Sequence, residues 1–329
     1  MIFLSIIVPC YRNKDILKIG IPSLERQSIK DFELILIDDK SPNGLYEAME
    51  QYVNSDSCSI KNHIRLYRNE TNMGPGATRN RGIELAQGKY ILFLDSDDYL
   101  KDDAVEVLKN NSLEKEVVLY DFERIVGNRK IMYPCLSNNV KCDTEKDLIL
   151  EALERANFTT CTKICKRDFL LKKGIYMPNI LLGEDYVFSK LLLANCTSIS
   201  YIHKSIYVML DNKVSLTKVN PMGEFADEQY EYIKMNWPRN QCDECLIGIF
   251  IYLKCFTKVW NLVEHGKEKK CICNYIESLE TYGINWHDSE YINRLPIYQR
   301  MFLDAVKKKK IVRLKFIVWM RKITKKVYR

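Results

Sequence analysis

The chain has 329 residues, 47% hydrophobic and 28% charged, which are the proportions of a folded protein with an ample core and exclude a disordered or fibrous chain. Fifty Lys and Arg against 43 Asp and Glu leave a net charge of +7, concentrated in a dense basic block from Lys307 to Arg329. That distribution suits an anionic surface as partner and argues against nucleic acid.

In the first hundred residues, Phe3–Val8, Phe32–Ile37, Ile64–Tyr67 and Tyr90–Leu94 read as buried strands. Amphipathic segments near Asp15–Gln27, Leu45–Val53 and Ala77–Ala86 separate them. This alternation predicts an α/β fold, with a Rossmann-like, mostly parallel sheet flanked by helices. Ligands of such sheets sit at the carboxyl ends of the strands. The first strand ends in Pro9-Cys10-Tyr11-Arg12-Asn13, the second in Asp38-Asp39-Lys40-Ser41-Pro42, and the fourth in Asp95-Ser96-Asp97-Asp98. Carboxylates, one ring and a few bases suit a metal ion and a nucleotide better than an apolar ligand.

Asp95 and Asp97 are two apart on extended chain and point the same way. Both carboxylates can therefore face one hard cation, Mn2+ or Mg2+, shared with substrate phosphates. Asp-x-Asp alone is also common in solvated turns. Gly74-Pro75-Gly76 lacks the Gly-Lys-Ser/Thr ending of a P-loop and reads as a turn before the helix that carries Arg79 and Arg81. Those arginines either meet an anion near the helix N-terminus or form surface salt bridges.

Thr144–Ala156 and Leu182–Asn195 are predicted helices, the second entered through Gly183-Glu184-Asp185. Acidic residues suit a first turn, and the helix dipole is expected to lower their pKa values. Ser198–Ile202 and Ser205–Leu210 are strand-like, and beyond about Pro221 helical patterns dominate. The expected organisation is an α/β domain over 1–220, a helical extension over 221–306, and a basic amphipathic helix over 307–329.

Taken together, Ser5-Ile6-Ile7-Val8-Pro9-Cys10-Tyr11, Phe32–Ser41, Asn72-Met73-Gly74, Ala77-Thr78-Arg79-Asn80-Arg81-Gly82-Ile83 and Gly88–Asp98 closely resemble the family 2 glycosyltransferases, which have the GT-A fold. The order and spacing match over roughly residues 3–105, and Gly183-Glu184-Asp185 falls where that family carries its acidic catalytic pair. The resemblance implies that Tyr11 and Asp39 hold a nucleotide base, usually uracil, with Pro9 a backbone contact beside them. It places Arg79 near the donor diphosphate, Asp95 and Ser96 at the nucleotide-sugar, and Asp97 with Asp95 at the metal. Asp185 matches the base that deprotonates the acceptor hydroxyl. Lys213 and Ser215 lie in a stretch resembling a loop that closes over the donor.

The implied reaction is an inverting transfer from a nucleotide-sugar, a UDP-sugar by the base contacts, to a glycan or lipid-linked glycan in surface polysaccharide synthesis. A nucleotidyltransferase would carry a glycine-rich loop after the first strand, where Pro9-Cys10-Tyr11-Arg12-Asn13 has none. A non-catalytic nucleotide-sugar-binding protein would not need Asp95, Asp97 and Asp185 together.

In the tail, Val312, Phe316, Trp319, Met320, Ile323 and Val327 share one helical side, with Lys315, Arg321, Lys322, Lys325 and Lys326 mostly opposite. Ile311, Arg313, Leu314 and Val318 spoil the separation. Such a helix either packs on its own domain or binds an anionic membrane surface, and the second reading places the protein in the cytoplasm, peripheral on the inner face of the cell membrane. No run of about 18 apolar residues is found, so no transmembrane helix is expected. No signal-like stretch opens the chain, so the twelve cysteines are expected to be reduced, buried and free of zinc, Cys242 and Cys245 being the only Cys-x-x-Cys.

Overall fold

The computed structural model describes residues 2–112, 114–136, 142–155, 159–180, 182–211, 225–238 and 243–327, with side chains of the final helix as far as Arg321. Lys213, Ser215 and Cys242 lie outside the described residues, as do the side chains of Lys322, Ile323, Lys325, Lys326 and Val327. The four apolar runs form β1 (Leu4–Cys10), β2 (Phe32–Asp38), β3 (Ile64–Arg68) and β4 (Tyr90–Phe93). They run parallel in the order β3-β2-β1-β4, with Ile6 opposite both Leu34 and Leu92. β2 is buried at every residue and β1 at all but Pro9, which is why these strands are continuous apolar runs rather than alternating ones.

The connecting helices are α1 (Ile21–Glu25), α2 (Leu45–Val53) and α3 (Gly74–Leu85). A five-residue π turn, Ile16–Gly20, splits the helix expected over Asp15–Gln27. α3 starts three residues earlier than its sequence pattern indicates, because Pro75 fits a first turn and Gly74 takes the φ of 81° that precedes it.

Beyond β4 the sheet becomes mixed. The elements are β5 (Tyr99–Leu100), α4 (Ala104–Asn111), β6 (Val117–Val126), β7 (Arg129–Tyr133), α5 (Glu145–Arg155), β8 (Lys163–Lys166), α6 (Arg167–Lys173), α7 (Glu184–Asn195) and β9 (Ile199–Leu210). The strand order is β3-β2-β1-β4-β8-β6-β9-β5, with β7 paired to β6. β8 lies antiparallel to β4 and β6, and β9 parallel to β6. The two short strand-like runs before residue 211 are one strand, β9.

The chain divides into two compact units, Met1–Lys213 and Val214–Arg329. Among the described residues the second is helical: α8 (Ala226–Met235), α9 (Asp243–Phe250), α10 (Trp260–Glu264), α11 (Lys269–Ser278), α12 (Glu290–Asn293), α13 (Ile297–Lys307) and α14 (Ile311–Val327). α9 continues through a π segment, Ile251–Val259, into α10, giving a helix of 22 residues that is long and apolar enough to cross a membrane. Lys254 and Lys258 interrupt its apolar residues, so the sequence there has no unbroken run of about 18. Within this unit Lys254 is buried, 2.7 Å from Asp227 Oδ1 and 2.6 Å from Tyr282 Oη, beneath a cluster of Tyr230, Phe250 and Tyr282 rings. Cys242 aside, none of the eleven described cysteines forms a disulfide, and eight of them are buried.

Candidate active site

Three strand ends and two helix starts of the first unit build one acidic, arginine-bridged site. At the end of β1, Pro9 sits opposite Ile37 of β2, and Tyr11 leaves the sheet and is 42% exposed. The Arg12 guanidinium lies 5.0 Å from that ring's centroid. Arg12 has a positive φ of 59°, and its N–H donates to Ser41 Oγ at 2.9 Å, tying this turn to the one after β2.

Asp38 and Asp39 follow β2 and have different tasks. Asp38 is buried and ion-paired to Arg68 at 3.1 Å. Asp39 Oδ1 accepts from Asn69 Nδ2 at 2.7 Å and from the Met73 N–H at 2.9 Å, while Oδ2 accepts from the Gly74 N–H at 2.9 Å. Its carboxylate thus anchors the start of α3 and keeps lone-pair capacity on Oδ2 for a further donor.

α3 is pressed against the sheet and against α7. A Cβ on Gly82 would lie 2.3 Å from Ile7 Cγ2, and one on Gly76 would lie 3.1 Å from Glu184 Cγ. Asn80 locks the same face by exchanging hydrogen bonds of 2.9 Å with both backbone groups of Met177. The Arg79 side chain consequently runs inward. Its Nη2 donates to Asp95 Oδ1 at 2.7 Å and its Nη1 to Glu184 Oε1 at 3.4 Å, while Nε is buried with no partner. Burial opposes the charge, but the Asp95 and Glu184 carboxylates hold the guanidinium protonated. Arg79 is therefore not a surface salt bridge. Arg81 instead braces the loop before α3, donating to the carbonyl of Arg68 and to Asn69 Oδ1.

The turn after β4 carries Asp95, Ser96 and Asp97, all partly exposed, and the buried Asp98. Asp95 Oδ2 accepts from the Cys161 thiol at 3.3 Å, which burial and the Asp95 charge keep protonated. Tyr207 of β9 fixes the turn: its hydroxyl accepts from the Asp95 N–H at 3.2 Å and donates to Asp98 Oδ2 at 2.7 Å. The Leu210 N–H donates to Asp98 Oδ1 at 2.8 Å. Burial, then repulsion from Asp95 and Asp97, pushes the Asp98 carboxyl well above the usual range. Hard oxygen donors whose like charges repel one another fit a divalent cation. Among the described residues no three acidic, His or Cys side chains converge as a complete metal cage. This still suits Mg2+ or Mn2+, which bind through one or two carboxylates plus substrate phosphates.

Gly183, at φ 84°, turns the chain into α7 and presents Glu184 and Asp185. Burial raises the pKa values of both, with repulsion between them acting further on Glu184. This overturns the expected lowering by the helix dipole: a first-turn dipole is outweighed when the carboxylates leave water. Glu184 is engaged by Arg79, whereas Asp185 makes no ion pair among the described residues and accepts from the Tyr186 N–H at 2.7 Å. Lys163 of β8 stands nearby, its buried ammonium 3.2 Å from Ser189 Oγ, one turn along α7 from Asp185.

The site therefore gathers Asp95, Arg79, Glu184 and Asp185, and sets Tyr11 and Asp39 beside the start of α3. Tyr207 and Cys161 carry no motif in the sequence. Asp98 was visible only as the last residue of an acidic run.

Residues 5–172 match the family model described as Glycosyl transferase family 2. An uncharacterized glycosyltransferase of Haemophilus influenzae is 34% identical over 66% of this chain and 82% of its own length. A poly(ribitol-phosphate) beta-glucosyltransferase of Bacillus spizizenii is 36% identical over 56% of this chain, which spans only 28% of that protein. Among solved structures, Staphylococcus aureus TarS 1–349 in complex with UDP-GlcNAc superposes with a TM-score of 0.69 over 98% of this chain and 92% of that one, at 21% identity. The mannosyltransferase PcManGT of Pyrobaculum calidifontis, in complex with GDP-Man and Mn2+, superposes at 0.55 with 12% identity, covering 97% of this chain and 86% of that one. These two structural likenesses establish a common fold.

Proposed function

The chain belongs to glycosyl transferase family 2, and from that premise we propose that it transfers a sugar, with inversion, from a UDP-linked donor to a hydroxyl of a glycan or lipid-linked glycan. The observation that carries this reading is the meeting of Arg79, Asp95 and Glu184, which brings the donor-side turn after β4 to the start of α7. The names of the relatives, among them two poly(ribitol-phosphate) transferases, support a polymeric acceptor of the kind used in surface polysaccharide synthesis.

In this reading the exposed Tyr11 ring stacks on the base and Asp39 Oδ2 accepts from it, with Pro9 a backbone contact beside them. Asp95 and Ser96 face the ribose. Asp97 is the direct metal ligand in this reading, and Asp95, whose oxygens accept from Arg79 and Cys161, the supporting one. A bound Mn2+ or Mg2+ would neutralise charge gathering on the departing diphosphate. Asp185, not Glu184, is the general base, because Arg79 occupies Glu184. Its raised pKa makes it a better proton acceptor than an ordinary aspartate. The acceptor oxygen bonds to the anomeric carbon as its proton moves to Asp185, and the bond to the diphosphate breaks with its electron pair leaving on UDP.

The test is release of UDP from a panel of UDP-sugars, with and without EDTA, in the native chain, Asp185→Asn and Glu184→Gln. Asp185→Asn is expected to lower turnover by about 10²–10⁴-fold while UDP affinity stays within a few-fold. EDTA is expected to abolish turnover. Near-normal turnover of Asp185→Asn at saturating donor would refute the base assignment, and absence of UDP release across the panel would refute the donor class.

A further inference from the structure

α14 has two apolar faces, and only one of them is used by the fold. Ile311, Leu314, Ile317 and Val318 are buried within the second unit, which explains why Ile311, Leu314 and Val318 blurred the amphipathic pattern in the sequence. On the opposite side Val312, Phe316, Trp319 and Met320 are exposed, at 84%, 56%, 54% and 42%. Their spacing of four, three and one residues makes a single stripe along the helix. The Phe316 and Trp319 rings lie 6.0 Å apart within it. Four large apolar side chains left in water on one helix face mark an interaction surface rather than scattered exposure.

The charge around the stripe has one sign. Residues 305–329 contain eleven Lys and Arg and no Asp or Glu, while the rest of the chain is net acidic by four. Some of this charge is neutralised internally: Lys308 and Arg313 pair with Asp304, and Lys309 with Glu277. Lys307, Lys310 and Lys315 are exposed and make no ion pair among the described residues. Lys315 flanks the stripe on the Trp319 side.

We propose that the outward face of α14 is a docking surface for an anionic lipid bilayer, with Phe316 and Trp319 entering the headgroup boundary and the free lysines meeting lipid phosphates. A Trp-bearing apolar stripe bordered only by cations matches that boundary in both its apolar and its charged components. A second copy of the chain is the poorer occupant, since a two-fold contact would set this cationic face against itself. Unlike the proposed transfer reaction, this assignment needs nothing from the nucleotide site.

Sedimentation of the full chain with vesicles tests it, using phosphatidylcholine alone and phosphatidylcholine with about 30% phosphatidylglycerol. The native chain is expected to bind the anionic vesicles, more weakly as salt rises, and to leave the neutral ones in solution. Phe316→Asp with Trp319→Asp is expected to weaken binding about tenfold or more, while Met235→Asp, at a more exposed apolar residue on α8, leaves it intact. Replacing Lys307, Lys310 and Lys315 by Gln provides a second test that leaves the apolar stripe unchanged, and it too must weaken binding. Far-UV circular dichroism and a cooperative melt matching those of the native chain show that each variant is folded. Equal binding to neutral and anionic vesicles, no binding to either, or binding unaffected by either set of changes would overturn the proposal. So would a lipid-independent dimer that the Phe316 and Trp319 changes dissolve.

Discussion

Arg79 is the residue through which the two halves of the site sense one another. Its positive charge lowers the pKa of Asp185, while burial raises it. The acid limb of the rate profile reports deprotonation of the base, so removing the cation must move that limb to higher pH. Arg79→Gln is therefore expected to shift the limb upward, and Arg79→Lys to shift it less, in kcat measured from about pH 5 to 9. An unmoved limb in Arg79→Gln would mean that Asp185 does not feel this charge. The identity of Arg79 was legible in the sequence as part of a motif. Its partners were not, because Glu184 lies 105 residues further along and only the packing of α3 on α7 brings them together.

At the scale of elements, the sequence was readable where neighbours in the chain are neighbours in the sheet. β1 to β4 each follow the previous strand through one helix, so their polar ends appear in order and within a hundred residues. β8 and β6 gave no comparable signal. β8 is four residues long, Lys163-Ile164-Cys165-Lys166, and the strand that places Tyr207 in the site pairs with partners from distant segments. Tyr207→Phe tests how much that distant strand contributes. Removing the hydroxyl leaves buried Asp98 with one donor fewer, at a cost of about 1–3 kcal/mol. The Asp98 carboxyl titrates above its unfolded value, so its ionisation already weakens the fold as pH rises between those two values. Loss of the Tyr207 donor raises the folded value further. Denaturant melts should therefore show a small deficit below about pH 3, where Asp98 is protonated in both states, and a larger one as the pH is raised toward 8. A deficit that is flat with pH would dissociate Tyr207 from Asp98.

At the scale of the whole molecule, the two units are legible to different degrees because they are stabilised differently. The first is ordered by strand ends with recognisable chemistry, while the second is a set of helices whose sequence carries only periodicity and charge. Lys254 is its most informative residue. The helix of 22 residues from Asp243 to Glu264 is acceptable to a bilayer by length and composition, yet at its middle it bears an ammonium whose counter-charges, Asp227 and Glu231, lie on α8. Asp227 is partly exposed and Glu231 remains at 3.5 Å, so Asp227→Ala should cost about 1–3 kcal/mol, less than breaking a fully buried pair. Adding Lys254→Met should recover most of that loss in the same melting experiment, and failure to recover would mean that the lysine is held by something other than its charge. During synthesis α8 is made before the apolar helix, so the anion that Lys254 needs is already present when the lysine leaves the ribosome. That order of arrival favours burial against α8 over partition into lipid, and the double variant, with neither charge left, is the form in which these 22 residues would be most easily mistaken for a membrane anchor.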